Sequence, residues 1–239
     1  MSFVHEPRRM KMKKFLVPLF VITVLIPVNR AYAIAGIGLY YNTDAVSVAG
    51  GTDGTSPISL TRDGFDGTIG GGLFVYIDAI PFVDIEASFE AAVNQYQFSF
   101  GNEFSELGPI DFGWARASQY YTLRRKLVGF GVPILGGVQL YAGGGYNKHS
   151  SSPLASLDMV EGLLGDLTSS FDTSALEENL ISYIKENKID ASGLHIQAGM
   201  QMKILTFSGF VNYRITMAKE VVPDAKSFSS LWAGLAFGF

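Results

Sequence analysis

The side chains of this chain that could do chemistry are mostly carboxylates and cations placed at alternate positions along several segments. Successive side chains of a β-strand point to opposite faces, so groups separated by an even number of residues lie on one face. Such groups can pair across an enclosed space or line a path for ions. We predict an internal charge network from the inward-facing ionisable residues Asp84, Glu86, Glu90, Arg116, Arg124, Lys203 and Arg214. Asp66 and Asp78 are expected on the same inward face.

Histidine and serine are the other candidates for chemistry. His149 is followed directly by Ser150, Ser151 and Ser152, and a Ser–His pair can act as a nucleophile and its base. Adjacent residues of an extended strand point apart, however, so this proximity in sequence does not produce a dyad. We expect His195 to be a hydrogen-bonding group of the interior. The prediction is therefore that the chain has no catalytic residue and is not an enzyme.

Metal and cofactor sites are not predicted. The chain contains no cysteine, which excludes disulfides and thiolate metal sites. Asp44, Asp53 and Asp63 are scattered through a Gly-rich segment without the spacing of a calcium loop. We interpret this segment as a flexible loop.

Eight segments with alternating apolar and polar residues follow Ala33 and position these side chains. Period-two runs of about ten residues are typical of tilted strands that span a membrane. The predicted strands cover residues 35–42, 65–78, 82–98, 113–126, 134–147, 193–203, 208–217 and 231–239. In the third strand the alternation slips near Asn94–Tyr96, which predicts either a bulge or the exit of the strand from the bilayer.

The polarity of the two strand faces predicts the architecture. Hydrocarbon offers backbone N–H and C=O groups no partner, so strands that span it must close into a barrel. A soluble sandwich or lipocalin-like barrel would instead place the apolar face inside and leave the ionisable residues outside. We predict an all-β fold, an eight-stranded antiparallel transmembrane up-and-down β-barrel with apolar residues facing lipid and ionisable residues facing inward.

The connections between strands indicate the orientation. They alternate between short, at residues 78–82, 127–133 and 204–206, and long, at residues 43–64, 99–112, 148–191 and 218–227. Bacterial barrels keep short turns on the periplasmic side and long loops outside. Both termini are therefore expected in the periplasm and the long loops on the cell surface.

The N-terminal region reads as a signal peptide over residues 1–33, with initiation at Met12 as an alternative. Lys11, Lys13 and Lys14 precede an apolar run, and Ala31-Tyr32-Ala33 fits a cleavage site; an uncleaved anchor is the competing interpretation. Six of the 18 basic residues and one of the 22 acidic residues lie in this region. The barrel at residues 34–239 thus has 12 basic and 21 acidic residues, a net charge of −9, which argues against nucleic-acid binding.

The last nine residues, Leu231 to Phe239, alternate apolar side chains and close on phenylalanine. By pattern, the chain resembles the small eight-stranded barrels of Gram-negative outer membranes, the outer-membrane protein A-like and Opa-like group. The resemblance implies an outer-membrane location, contact with lipid and lipopolysaccharide, and a monomer. It also implies that Leu235, Phe237 and Phe239 form the signal read by the barrel-assembly machinery.

The third long loop, residues 148–191, departs from this resemblance because it is long and helical in pattern. Leucines recur at helical spacing from Leu154 to Leu167, and after a break at 168–173 the pair Ser174 and Glu177 has the spacing of a capping box. The two helices could pack together, roof the barrel mouth, lie on the membrane or enter the lumen. A structural lid and a partner-binding surface both remain open.

These observations favour a structural or surface-interaction protein with a salt-bridged, closed interior. Eight strands leave a lumen that side chains just fill. Many inward positions are glycine, however, which favours the alternative of a narrow channel or small-solute carrier gated by the third loop. A lipid-modifying enzyme is a distant third hypothesis.

Overall fold

The computed structural model describes residues 35–78, 82–104, 106–132, 136–165 and 176–239. The predicted signal peptide, the break at 168–173 and Ser174 lie outside the described residues. Within them are ten strand segments and two helices: β1 Ala35–Val48, β2 Gly51–Thr55, β3 Ile58–Arg62, β4 Phe65–Ile77, β5 Asp84–Gly101, β6 Glu106–Val132, β7 Gly136–Ser151, α1 Leu157–Leu164, α2 Leu176–Glu186, β8 Ile189–Ile204, β9 Phe207–Met217 and β10 Phe228–Gly238. Neither described helix has the length and hydropathy needed to cross a bilayer.

Eight of the strands form a closed antiparallel ring. Neighbours in the ring pair in the order β5, β4, β1, β10, β9, β8, β7 and β6, and β6 pairs again with β5. The first and last strands close it, from Gly36 opposite Gly238 to Ala45 opposite Ser229. The predicted eight-stranded up-and-down barrel is confirmed.

Apolar side chains cover the outside of the ring. Each strand of the barrel carries exposed aliphatic or aromatic residues, for example Leu39, Leu73, Phe89, Leu123, Leu140, Ile196, Val211 and Leu235. A continuous apolar band of this kind is unfavourable in water and matches the hydrocarbon of a membrane. The inward face of the same strands carries the buried polar and charged residues. The fold is thus a transmembrane barrel.

The barrel walls continue above this band, and there the polarity of the two faces is inverted. Ser47, Gln95 and Gln97 face outward and are exposed, whereas Tyr96 and Phe98 face inward and are buried. The alternation of β5 does not slip at Asn94–Tyr96; its register with β6 runs unbroken from Asp84 to Phe98. Of the two interpretations offered for this segment, the exit from the bilayer is therefore the correct one.

The first long connection is a β-hairpin, which corrects the prediction of a flexible loop at 43–64. β1 runs on to Val48, and β2 and β3 pair with each other from Gly51–Arg62 to Thr55–Ile58. β3 also pairs with β5. The ring therefore has two long strands, each interrupted once, in place of two short strands joined by a loop.

Asp66 lies on the opposite face from the one predicted, because the pairing of β1 with β4 contains a bulge. The register between β1 and β4 shifts between Asp44 and Ser47, and Gly67 has a positive φ of 68°. A bulge turns the residues beyond it to the opposite face. Asp66 is consequently exposed on the outer surface and does not face the lumen.

Candidate functional site: an enclosed charge network

The upper part of the network is centred on Arg116. Its guanidinium group lies 2.6 Å from the carboxylate of Asp44 and 2.9 Å from that of Glu90. Arg214 contacts the second oxygen of Glu90 at 3.2 Å, and the Tyr40 hydroxyl donates to the same oxygen at 2.9 Å. Two carboxylates and two guanidinium groups from four strands therefore neutralise one another inside the barrel.

The lower part of the network is centred on Arg124. This guanidinium group lies 2.7 Å from Asp78 and 3.1 Å from Glu86, while Asp84 is at its edge at 4.0 Å. Lys203 approaches the other oxygen of Asp78 at 2.6 Å. The lower group is thus a chain of ion pairs that links β5, β6 and β8 with the end of β4.

Gln197 joins the two parts. Its amide nitrogen donates to Glu86 at 3.1 Å, and its amide oxygen accepts from Nε of Arg214 at 3.2 Å. Aromatic faces complete the surroundings of the cations: Arg214 lies 3.7 Å from the Tyr120 ring centroid and Arg124 lies 4.9 Å from that of Tyr141. Charges that are buried need such pairing, because their desolvation is otherwise too costly.

The structure brings all seven predicted network residues into one connected system. Two further residues of the network were not predicted from the sequence. Asp44 was expected in a flexible loop, and Gln197 was not expected to bridge the two parts. The signal for Asp44 was present, since Tyr40, Asn42 and Asp44 continue the inward alternation of the first strand. The neutral amide of Gln197 stands out in the sequence less than the charges it connects.

Aromatic side chains fill the lumen beside the lower charges. Tyr40, Phe74, Tyr76, Phe210 and Trp232 form one buried cluster with Tyr141 and Ala236. Ring centroids of Tyr40 and Trp232 are 4.8 Å apart, and those of Phe74 and Phe210 are 5.0 Å apart in an edge-to-face arrangement. These rings occupy volume that the inward glycines leave open.

A second apolar core closes the end of the barrel above the apolar band. It is formed by the inverted upper walls and by α1, with buried members that include Val48, Leu60, Phe65, Phe98, Phe100, Phe112, Trp114, Met159, Val160, Leu163 and Phe228. The Tyr96 hydroxyl accepts a hydrogen bond from the backbone N–H of Ala155 at 2.8 Å, and burial raises the pKa of this phenol. α1 therefore lies on the mouth of the barrel.

The helices differ in detail from the predicted loop 148–191. β7 continues to Ser151 and β8 begins at Ile189, so the helical connection is shorter than predicted. Ser156 caps α1 by accepting from the N–H of Met159. α2 packs against the same core through Leu180, Tyr183 and Ile184. Of the four placements considered, the helices pack together and roof the mouth.

His149 has a different serine partner from those beside it in sequence. Its Nδ1 lies 2.8 Å from Oγ of Ser118 and its Nε2 lies 3.0 Å from Oδ1 of Asn147. This Ser–His–Asn arrangement has the order of a catalytic triad. All three side chains are buried, however, and Arg116 also donates to the Ser118 hydroxyl. His195 similarly contacts Thr122, with Nε2 at 2.8 Å from Oγ1.

The predicted assembly residues lie at the opposite end of the barrel. Leu235, Phe237 and Phe239 are exposed on the lipid-facing side. The backbone N–H of Phe239 donates to the carbonyl of Ala35 at 2.9 Å, and Ala35 donates back to Phe239 at 3.2 Å. The terminal residue therefore takes part in closing the ring.

Some solved structures are similar to this chain, whereas no sequence comparison finds a relative. No family model matches the chain, and no curated protein matches its sequence. Solved structures that are similar to it include Ail, the attachment invasion locus protein of Yersinia pestis, in complex with the heparin analogue sucrose octasulfate, at 12% identity and a TM-score of 0.43, covering 86% of this chain and 97% of that one. OprG of Pseudomonas aeruginosa is similar at 14% identity and a TM-score of 0.43, covering 87% and 96%.

The N-terminal β-barrel domain of Pseudomonas aeruginosa OprF is also similar, at 12% identity and a TM-score of 0.39, covering 85% of this chain and 99% of that domain. OprG is an outer-membrane protein, and the matched part of OprF is a β-barrel domain. The closed ring of eight antiparallel strands in this chain is itself the fold that the resemblance implied. The strand register and the enclosed charges of this chain define an eight-stranded transmembrane β-barrel protein.

Proposed function

We propose that this chain is an integral outer-membrane protein with a closed interior, and that it acts as a structural or surface-interaction protein and not as an enzyme. Its termini face the periplasm, and its hairpin and helices face the cell exterior. Outer-membrane lipid and lipopolysaccharide surround the barrel, the barrel-assembly machinery inserts it, and it is a monomer. The short connection at Leu205–Thr206 and the long ones above the apolar band support this orientation.

The burial of the three arginines carries the proposal of a closed interior. Arg116, Arg124 and Arg214 are 2%, 1% and 0% exposed, respectively. A guanidinium group that lines an open aqueous pore would keep solvent on at least one side. Here carboxylates, an amide and aromatic rings occupy those sides, and the upper apolar core lies above them.

The ordered extracellular structure supports a surface role. The β2–β3 hairpin and α1 are held to the barrel by a continuous apolar core, and Leu60 and Met159 in it are fully buried. Preorganised surfaces bind with a smaller entropic cost than flexible loops do. We do not propose that this chain binds a sulfated ligand such as the one bound to Ail. Residues 34–239 carry a net charge of −9 and would repel a polyanion.

A gated channel is the second candidate, and one observation favours it. Several buried polar atoms of the lumen have no hydrogen-bond partner in the described structure, among them the Tyr141 hydroxyl, Nη2 of Arg214 and both amide atoms of Asn212. Buried polar groups of this kind commonly bind ordered water. A hydrated interior could conduct if the helical roof opened.

Planar-bilayer recording of two proteins separates these candidates. One is the wild-type chain, and the other has residues 153–188 replaced by a short Gly-Ser linker. The proposal of a closed interior predicts that neither shows steady unitary conductance, because the charge network blocks the lumen below the helices. Conductance in the linker variant alone would favour gating by the third loop, and steady conductance of the wild-type chain would contradict a closed interior.

The surface role has its own test. Cells that display the wild-type barrel are compared for attachment to coated surfaces with cells that display the linker variant at the same level. We expect attachment to depend on the extracellular helices. Equal attachment by both strains would leave only the structural role.

The enzyme hypothesis is tested separately at the Ser–His–Asn arrangement. Ser118→Ala and His149→Ala should leave the lipid profile of the host outer membrane unchanged in mass spectrometry, because substrate cannot reach these buried groups. A lipid modification that requires both residues would overturn the proposal that the chain is not an enzyme.

A further inference from the structure

The barrel wall has a gap between β4 and β5 at the level where the outer surface changes from apolar to polar. Ladder pairing of these strands ends at Ile69 opposite Val93. It resumes above, where β3 pairs with β5 and Arg62 lies opposite Phe98. Six residues lie between Arg62 and Ile69, but only four lie between Val93 and Phe98. The excess on the first strand forces it away from its neighbour.

One side chain spans this gap. The amide nitrogen of Asn94 donates to the carbonyls of Asp66 and Gly67 at 3.2 and 2.5 Å, and its oxygen accepts from the N–H of Gln95 at 2.5 Å. Asn94 thus replaces part of the missing ladder. The opening beside it is a cleft of about 700 Å³.

The lining of the cleft is acidic on its polar side. Asp44, Asp66 and Asp111 line it, and none of the described lining residues is Lys, Arg or His. Asp44 is neutralised from within by Arg116. Asp66 and Asp111 are exposed, and neither forms an ion pair with any described residue; Asp111 accepts only from the Gln97 amide, at 2.9 Å.

The lower side of the cleft is apolar. Ile69 and Val93 line it and belong to the lipid-facing band. Gly113 lines the opposite edge, where an added Cβ atom would meet nothing within 4 Å. The cleft is therefore open to the membrane interface, with carboxylates toward the aqueous side and aliphatic side chains toward the hydrocarbon.

We propose that this cleft binds a cationic amphiphile, with an ammonium head group beside Asp66 and Asp111 and an alkyl chain along Ile69 and Val93. Charge complementarity selects the head group, because uncompensated carboxylates attract a cation and repel an anion. The apolar lower side selects a molecule that is delivered from the membrane. This binding site lies in the wall of the barrel and is independent of whether the lumen conducts.

Fluorescence quenching of Trp114 in phosphatidylcholine nanodiscs tests the site. Trp114 follows the cleft residues Phe112 and Gly113 and is fully buried. The Trp232→Phe background leaves it as the single tryptophan, since the chain has two. The probes are a long-chain trimethylammonium and a long-chain sulfonate of equal length, each with a nitroxide on the same carbon. Heat-modifiable mobility on gels verifies the fold of each variant.

We expect half-quenching of Trp114 at a concentration of the ammonium probe at least about fivefold below that of the sulfonate. The double variant Asp66→Asn/Asp111→Asn should remove this preference, while Glu161→Gln/Glu186→Gln, which removes two exposed carboxylates from the helices, should retain it. Gly113→Phe should weaken quenching by the ammonium probe, and Gly101→Phe, at another position where an added Cβ meets nothing, should not.

Two results would overturn the proposal. One is equal quenching of the wild-type protein by both probes. The other is a preference for ammonium that survives in a folded Asp66→Asn/Asp111→Asn protein.

Discussion

The side-chain amide of Gln197 donates to the carboxylate of Glu86 across 3.1 Å and, through its oxygen, accepts from Arg214. This single neutral residue connects the upper ion pairs around Arg116 with the lower ones around Arg124. The interior is consequently one hydrogen-bonded system and not two separate clusters.

Gln197→Leu should therefore destabilise the barrel. It leaves a carboxylate oxygen of Glu86 and Nε of Arg214 buried without these partners, which costs about 2–4 kcal/mol in the free energy of unfolding. Denaturant unfolding in lipid vesicles measures this loss in the free energy of unfolding. Gln119→Leu is the control, because Gln119 is exposed on the outer surface; equal stability of the two variants would contradict the bridging role.

Arg116 tests the network by a different route. Arg116→Met leaves Asp44 and Glu90 without their shared cation, and we expect a loss of about 3–5 kcal/mol in unfolding free energy. The double variant Asp44→Asn/Arg116→Met also removes the carboxylate that has no other cation, while Glu90 keeps its contact with Arg214. It should therefore recover most of this loss. If the single and double variants were equally unstable, the loss would arise from packing and not from charge.

The position of α1 gives a local prediction. Met159 is fully buried in the upper core, so Met159→Asp places a carboxylate in an apolar site. Amide hydrogen exchange in α1 and in the β2–β3 hairpin should become at least about a hundredfold faster, while exchange in β8–β10 stays unchanged. Glu161→Ala, on the exposed side of α1, should change neither region. Unchanged exchange in Met159→Asp would show that α1 does not close the mouth.

The last residue gives a prediction about biogenesis. Deletion of Phe239 removes the terminal aromatic group of the predicted assembly signal and two backbone hydrogen bonds to Ala35. Assembly in cells should fall several-fold, while refolding into lipid vesicles should remain near normal. Phe82→Ala, at an internal aromatic residue that is also exposed, is the control. Normal heat-modifiable insertion of the truncated chain in cells would contradict the role of the C-terminus.

The sequence predicts the barrel well because strand parity is a strict geometric rule. Glu86, Glu90 and Arg116 had to share one face once their strands were recognised. The ion-pair partners could not be predicted from parity. Parity gives the face on which a residue lies but not the relative height of the strands around the ring. Arg116 pairs with Asp44, 72 residues away.

The region above the membrane was predicted poorly for a physical reason. There the solvent outside the wall is water, so the apolar face turns inward. The alternation expected of lipid-facing strands therefore ends at the interface. Asp44 and the hairpin were missed in this way, and the register shift after Asp44 reversed the expected face of Asp66. The placement of α1 depends on the shape of the core that it covers. The spacing of apolar residues along the helix does not contain this information.

A membrane-spanning barrel requires that the apolar face of every strand contacts lipid. This contact is tested with a single tryptophan at an outward position, Val211→Trp. In this protein the native Trp114 and Trp232, both buried on the inward side, are replaced by phenylalanine. In vesicles of lipids with brominated acyl chains, we predict strong quenching of this tryptophan and little quenching by aqueous acrylamide. Quenching by acrylamide without quenching by the brominated chains would contradict a membrane-spanning barrel.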